Sequence, residues 1–86
     1  MTSHEKDQQT LCDILNNRTT GDVTVHSDQM RQFLDNEMYC NVQRTNRRNA
    51  GTGWTVDRET QAHIRLYKDT PWFRPVLRDY GFSCAC

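Results

Sequence analysis

The stretch DRETQAHIRLYK, residues 57–68, decides the fold, because it carries two incompatible periods at once. Asp57 is placed to cap a helix, and a helix here would bring Glu59 and His63 into i, i+4 contact. Ala62, Ile64 and Leu66, however, alternate with His63, Arg65 and Tyr67, which is the period-two signature of a strand. The alternation favours a strand over residues 61–68, with 57–60 as the turn before it. That reading gives a three-stranded antiparallel meander. A helix would instead leave a two-stranded hairpin with a helix packed behind it.

Immediately upstream, residues 38–56 read MYCNVQRTNRRNAGTGWTV and form the hairpin of either version. Met38, Cys40 and Val42 alternate with Tyr39, Asn41 and Gln43, and Trp54 and Val56 are the inward positions of the returning strand. Between them, residues 44–53 read as a long polar loop with a Gly51-Thr52-Gly53 turn. Arg44, Arg47 and Arg48 are its chemistry. Guanidinium groups bind phosphate bidentately, and Thr45, Asn46 and Asn49 between them can reach backbone or base edges. The same arginines suit an acidic protein surface equally well. Trp54 at the base of the loop can stack on a base, although its place in the alternation makes it a core residue first. The candidate nucleic-acid or partner-binding residues are therefore Arg44, Asn46, Arg47, Arg48, Asn49 and Trp54, extended by Arg58 and Arg65.

Toward the start of the chain, Thr2 and Glu5 have capping-box spacing, and Leu11, Ile14 and Leu15 follow at helical spacing until Asn16-Asn17 and Gly21. A helix over residues 3–17 is predicted. The β-branched run at 22–25 is a brief strand or an extended linker whose two valines reach the core. Ser27 caps a second helix over 28–36, with Met30, Phe33 and Leu34 as its apolar stripe and Asp28 favoured by the dipole of the first turn. Its outward residues are Gln29, Arg31, Gln32, Asp35 and Asn36. Two acids on so short a helix disfavour insertion into a phosphate-lined groove and leave the hairpin as the contact element. At the other end, Thr70 as cap and Pro71 at the first position open a last helix bearing Trp72, Phe73, Val76, Leu77 and Tyr80. Gly81 is its left-handed stop, and Phe82 folds back onto it. Trp72 or Tyr80 could equally anchor an interface.

Composition sets the limits. Eighty-six residues make one domain with a small core, and with 35% hydrophobic residues and a mean hydropathy of −0.93 the chain is unusually polar. Stability is expected to be marginal or helped by a partner, a metal or self-association, a homodimer included. The formal net charge is zero, but residues 1–37 carry three basic and seven acidic side chains, a balance of −4, whereas residues 38–86 carry eight and four, a balance of +4. Such a molecule offers a basic surface on one side only, and it does not coat nucleic acid indiscriminately. No run of about twenty apolar residues is present, which points to a chain without a membrane span, placed in the cytoplasm.

Cys12, Cys40, Cys84 and Cys86 match no zinc-finger framework. Free thiols are the default, with a structural zinc on Cys12, Cys40 and the terminal pair as the alternative. Ser83-Cys84-Ala85-Cys86 resembles a double-prenylation tail, but that modification needs a small-GTPase body, and the chain has no P-loop. No Ser-His-Asp order, HExxH, G-x-G-x-x-G or EF-hand pattern occurs either, and His4, His26 and His63 sit far apart in the sequence beside no paired carboxylates. The expectation is a non-enzymatic protein without a cofactor.

Over residues 28–56 the order of helix, strand, basic glycine loop and tryptophan-bearing strand resembles a winged-helix module, with the hairpin as the wing. The whole chain resembles the small accessory proteins of tailed bacteriophages, which are compact, polar and tolerant of cysteine. The expected fold is α+β: two N-terminal helices, a small antiparallel hairpin or three-stranded meander, and a C-terminal helix. The phage resemblance implies a binding protein that engages a host complex such as a polymerase, nuclease or defence system, in the host cytoplasm. The winged-helix resemblance implies a small DNA- or RNA-binding regulator.

Overall fold

The computed structural model describes residues 2–40, 43–47 and 51–84, those at 43–47, 51 and 52 by their backbone alone. In chain order the elements are α1 (Ser3–Leu15), β1 (Val23–Val25), α2 (Asp28–Asn36), β2 (Gln43–Arg47), β3 (Gly51–Val56), α3 (Arg58–Leu66) and α4 (Phe73–Asp79). The class is α+β. The strands lie antiparallel in the order β1-β3-β2, with Val25 opposite Trp54 on one side of β3 and Arg44 opposite Trp54 on the other.

The deciding stretch is helical, which corrects the strand expected over 61–68. The Asp57 carboxylate accepts the Thr60 N–H at 2.8 Å and satisfies one of the free donors of the first turn. Gln61 and Ile64, three apart, are buried, whereas Leu66 is 76% exposed, so burial follows the helical period. The alternation misleads because Ala62 and Leu66 are apolar residues on the outward face. The free edge of β3 is already taken by β1, so residues 61–68 have no strand to pair with there. They pack on α1 instead, where the Arg65 guanidinium and the Lys68 ammonium each donate to a terminal carbonyl of α1, Ile14 and Leu15, at 3.3 Å. Cations at a helix C-terminus meet both its unsatisfied carbonyls and its dipole.

The hairpin also differs from its sequence reading. Met38 and Cys40 are not in a strand: their N–H groups bond back to Phe33 and Leu34 at the end of α2, and Tyr39 between them has φ of 53° and is 89% exposed. Val42 lies outside the described residues. The expected loop of 44–53 is mostly ladder, because Arg44, Asn46 and Arg47 belong to β2 and pair with Trp54, Thr52 and Gly51 of β3. Gly51 and Gly53 are thus strand residues and not a turn. Gly53 is required by close approach: a Cβ there would stand 2.7 Å from the Thr24 methyl and 2.8 Å from the Val25 carbonyl of β1.

Both N-terminal helices have the predicted caps. The Thr2 hydroxyl accepts from Glu5 N–H at 3.2 Å, and α1 ends at Leu15, just before Asn17 with its φ of 55°. Ser27 Oγ accepts from Met30 N–H at the start of α2. At α4 the cap differs, since Thr70 donates its hydroxyl to the Tyr67 carbonyl behind it and α4 begins at Phe73 without a side-chain cap. Gly81, at φ 84°, ends that helix as expected, with its own N–H bonded to Arg78 and that of Phe82 to Leu77. The core joins Leu11, Ile14 and Leu15 of α1 to Phe33 of α2, Val25 and Val56 of the sheet, Ile64 of α3 and Phe73 of α4. Phe33 is its centre, meeting Phe73 and Tyr80 edge to face at 5.9 and 5.6 Å.

Two connections between elements had no sequence signal. Asp7 of α1 is fully buried, and its carboxylate accepts the backbone N–H of His26 at 3.0 Å and of Ser27 at 2.6 Å, tying α1 to the entry of α2. Cys12 and Cys84 form a disulfide with Cα atoms 5.5 Å apart, which corrects the expectation of free thiols at both positions and removes both from any zinc set. Cys40 is the one free cysteine among the described residues.

Candidate partner-binding surface

β2 is one of the two outer strands of the sheet, and Arg44 and Arg47 stand on it. Arg47 ends the β2–β3 ladder opposite Gly51, Arg44 stands one residue in from its other end opposite Trp54, and Asn46 lies between them opposite Thr52. Arg48 and Asn49 fall outside the described residues. A charged edge strand has a double reading in physical terms: charge on an edge prevents pairing with another sheet, and it also supplies cations where backbone donors and acceptors are free.

Trp54 anchors the base of this surface. Its ring is half-buried against the core, and the Arg31 guanidinium of α2 stands over it at 5.6 Å from the ring centroid. Arg31 also pairs with Asp35 one turn on, at 3.0 Å. Its charge is therefore engaged within the fold, and of the outward α2 residues Gln29, Gln32 and Asn36 remain exposed. Arg58 is exposed at the start of α3. Arg65 is set apart from the hairpin by its contact with the end of α1. The eight candidates are thus not one cluster: Arg44, Asn46, Arg47 and Trp54 share the β2–β3 ladder, whereas Arg65 serves helix packing.

Along α3 an open cleft of about 410 Å³ is lined by Cys40, Glu59, Thr60, Ala62, His63 and Leu66. The helical form of α3 is what brings Glu59 and His63 to it. The chemistry of the cleft is that of a neutral thiol, since burial, followed by the negative charges of Asp57 and Asp35, pushes the Cys40 thiol above its ordinary value. A nucleophilic cysteine needs the opposite environment. Cys40 Sγ instead donates to the Met38 carbonyl at 3.3 Å. Among the described residues no group of three or more His, Cys, Asp or Glu is placed to hold a metal ion, and no helix is long and apolar enough to cross a membrane.

Sequence reasoning missed Asp7 and Gln61. Gln61 is buried, and its amide donates to the carbonyls of Gly21 and Val56 at 2.8 and 2.9 Å, so it fastens α3 to the segment before β1 and to the end of β3. Nothing in the neighbouring residues marks either position, because their partners are 19 or more residues away or belong to the backbone. No protein-family model, curated protein or solved structure matches the chain.

Proposed function

We propose that the chain is a non-enzymatic binding protein of the bacteriophage-accessory type, which uses the β2–β3 hairpin to engage a host nucleic-acid-processing complex and alter its activity. The observation that carries this reading is the concentration of arginine on an outer strand of the sheet, at Arg44 and Arg47, with Arg48 next in sequence. Zero net charge supports a protein partner over bare nucleic acid, because a chain that held phosphates by charge alone would be repelled through its acidic half. Its place of action is the host cytoplasm.

The test is affinity capture from nuclease-treated bacterial lysate with the unaltered chain and with the Arg44→Gln, Arg47→Gln, Arg48→Gln variant. Recovery of a polymerase, nuclease or defence complex by the first and not by the second is the expected result. Equal recovery by both would remove the hairpin from the contact.

A second reading, a small winged-helix-like DNA- or RNA-binding regulator, is favoured by the sheet order. β1 pairs on the side of β3 away from β2, and the chain runs strand, helix, hairpin from β1 to β3, the order expected of such a module. Titration with random duplex and single-stranded oligonucleotides across a range of salt separates the two. Binding whose logarithmic salt slope falls by roughly 0.9 for each arginine neutralised would replace the first reading by the second.

A further inference from the structure

One face of α1 is devoted to the segment that follows α4. His4, Gln8 and Cys12, spaced i, i+4 and i+8, engage successive residues of that segment. His4 Nε2 bonds the Gly81 carbonyl at 2.6 Å, Gln8 Oε1 accepts the Ser83 N–H at 3.3 Å, and Cys12 is joined covalently to Cys84. Between these points Phe82 is turned inward, 1% exposed, with its ring stacked on His4 at 4.3 Å. From the other side Arg74 donates to the Cys84 carbonyl at 2.6 Å. Gly81 and Ser83 are themselves exposed. The strap is a surface segment with a single deep anchor, closed by one covalent bond.

We propose that the Cys12–Cys84 disulfide is a redox latch on this strap. A dithiol reductant, of the class that keeps cytosolic thiols reduced, opens it by exchange. One thiolate of the reductant attacks a sulfur of the pair and forms a mixed disulfide, releasing the other cysteine as a thiolate that takes up a proton. The second thiol of the reductant then displaces the remaining cysteine. Two electrons pass to the protein, which ends with thiols at Cys12 and Cys84, and the reductant ends as a disulfide. With the bond gone, the strap is held without a covalent link, by the burial of Phe82 and its stack on His4 and by the hydrogen bonds of Gly81, Ser83 and Cys84, a hold that opens locally. It lifts, and the apolar seat of Phe82 beside α1 and α4 is uncovered. The sheet and α3 make no part of the strap's hold on α1 and keep their structure.

Hydrogen exchange on the full chain, oxidised and then reduced with dithiothreitol, tests this. It is repeated in a Cys40→Ser, Cys86→Ser background, in which no other disulfide can form. In the reduced protein the amides of Phe82 and Ser83 are expected to exchange at least a hundredfold faster than in the oxidised one. The β1 and β3 amides should stay protected at least a hundredfold relative to an open chain. Retention of strap protection to within threefold would overturn the latch. So would simultaneous loss of protection in strap and sheet, because the bond would then be a staple of the whole fold.

Discussion

Asp7 shows what one buried polar residue does in a polar chain. Its carboxylate answers two backbone donors at the entry of α2. Asp7→Ala leaves both N–H groups buried without acceptors, and should lower the unfolding free energy by about 3 kcal/mol in urea denaturation. Asp57 is the contrasting case, an exposed carboxylate held below its ordinary 3.8 chiefly by the Thr60 backbone N–H and then by the Thr60 side chain. A carboxyl whose folded value is depressed stabilises the fold above its unfolded value, and that contribution is lost as pH falls through the lower, folded one. The amide of Thr60, followed by NMR from pH 5 downward, should therefore lose protection below the usual carboxylate range. Asp57→Asn should remove this pH dependence while leaving α3 formed. An unchanged acid profile in that variant would mean that the cap is not what titrates.

At the scale of the element, α3 separates the two periods written into residues 57–68. If the segment were a strand, Ile64 and Leu66 would share a face and cost alike on truncation. In the helix Ile64 is fully buried and Leu66 is 76% exposed. Ile64→Ala should cost about 2–4 kcal/mol, as expected for a buried aliphatic side chain, and Leu66→Ala less than about 0.5 kcal/mol. Equal losses in parallel denaturation curves would contradict the helix. The hairpin carries the same lesson in reverse. Arginine, asparagine and glycine in residues 44–53 read locally as a loop, but cross-strand pairing with β3 and the close approach of Gly53 to β1 make most of them ladder. That shortens the arginine-bearing segment and places Arg44 and Arg47 at fixed register positions on an edge.

Taken as a whole molecule, the protein holds its small core together with connections between distant parts of the chain. The Cys12–Cys84 bond, across 72 residues, is the covalent one among those described. By chain entropy, which acts on the unfolded chain and leaves the contacts of the native sheet and α3 untouched, it adds about 4 kcal/mol to the free energy of global unfolding. Urea denaturation with and without dithiothreitol should show a difference of that order, with an m-value that rises on reduction as the unfolded chain expands. A midpoint insensitive to reductant would show that the bond restrains little of the unfolded ensemble. The caps at Thr2 and Ser27 and the Gly81 stop were legible in the residues, since each depends on partners within a few positions, whereas 22–25 read as a brief strand or a linker and became a strand by pairing with the distant β3.

Local chemistry by itself therefore determined where the first two helices begin, how the last one ends and which half of the chain is basic. Tertiary structure alone decided that residues 58–66 coil instead of extending, that the arginines of 44–47 stand on an outer strand, and that Cys12 finds Cys84. The physical reason is one of range. Caps, turns and charge balance are settled by neighbours in sequence, whereas the choice between two periods of an ambiguous segment depends on which surface is free to receive it. Here β1 occupies the edge of β3, and the end of α1 offers carbonyls to Arg65 and Lys68.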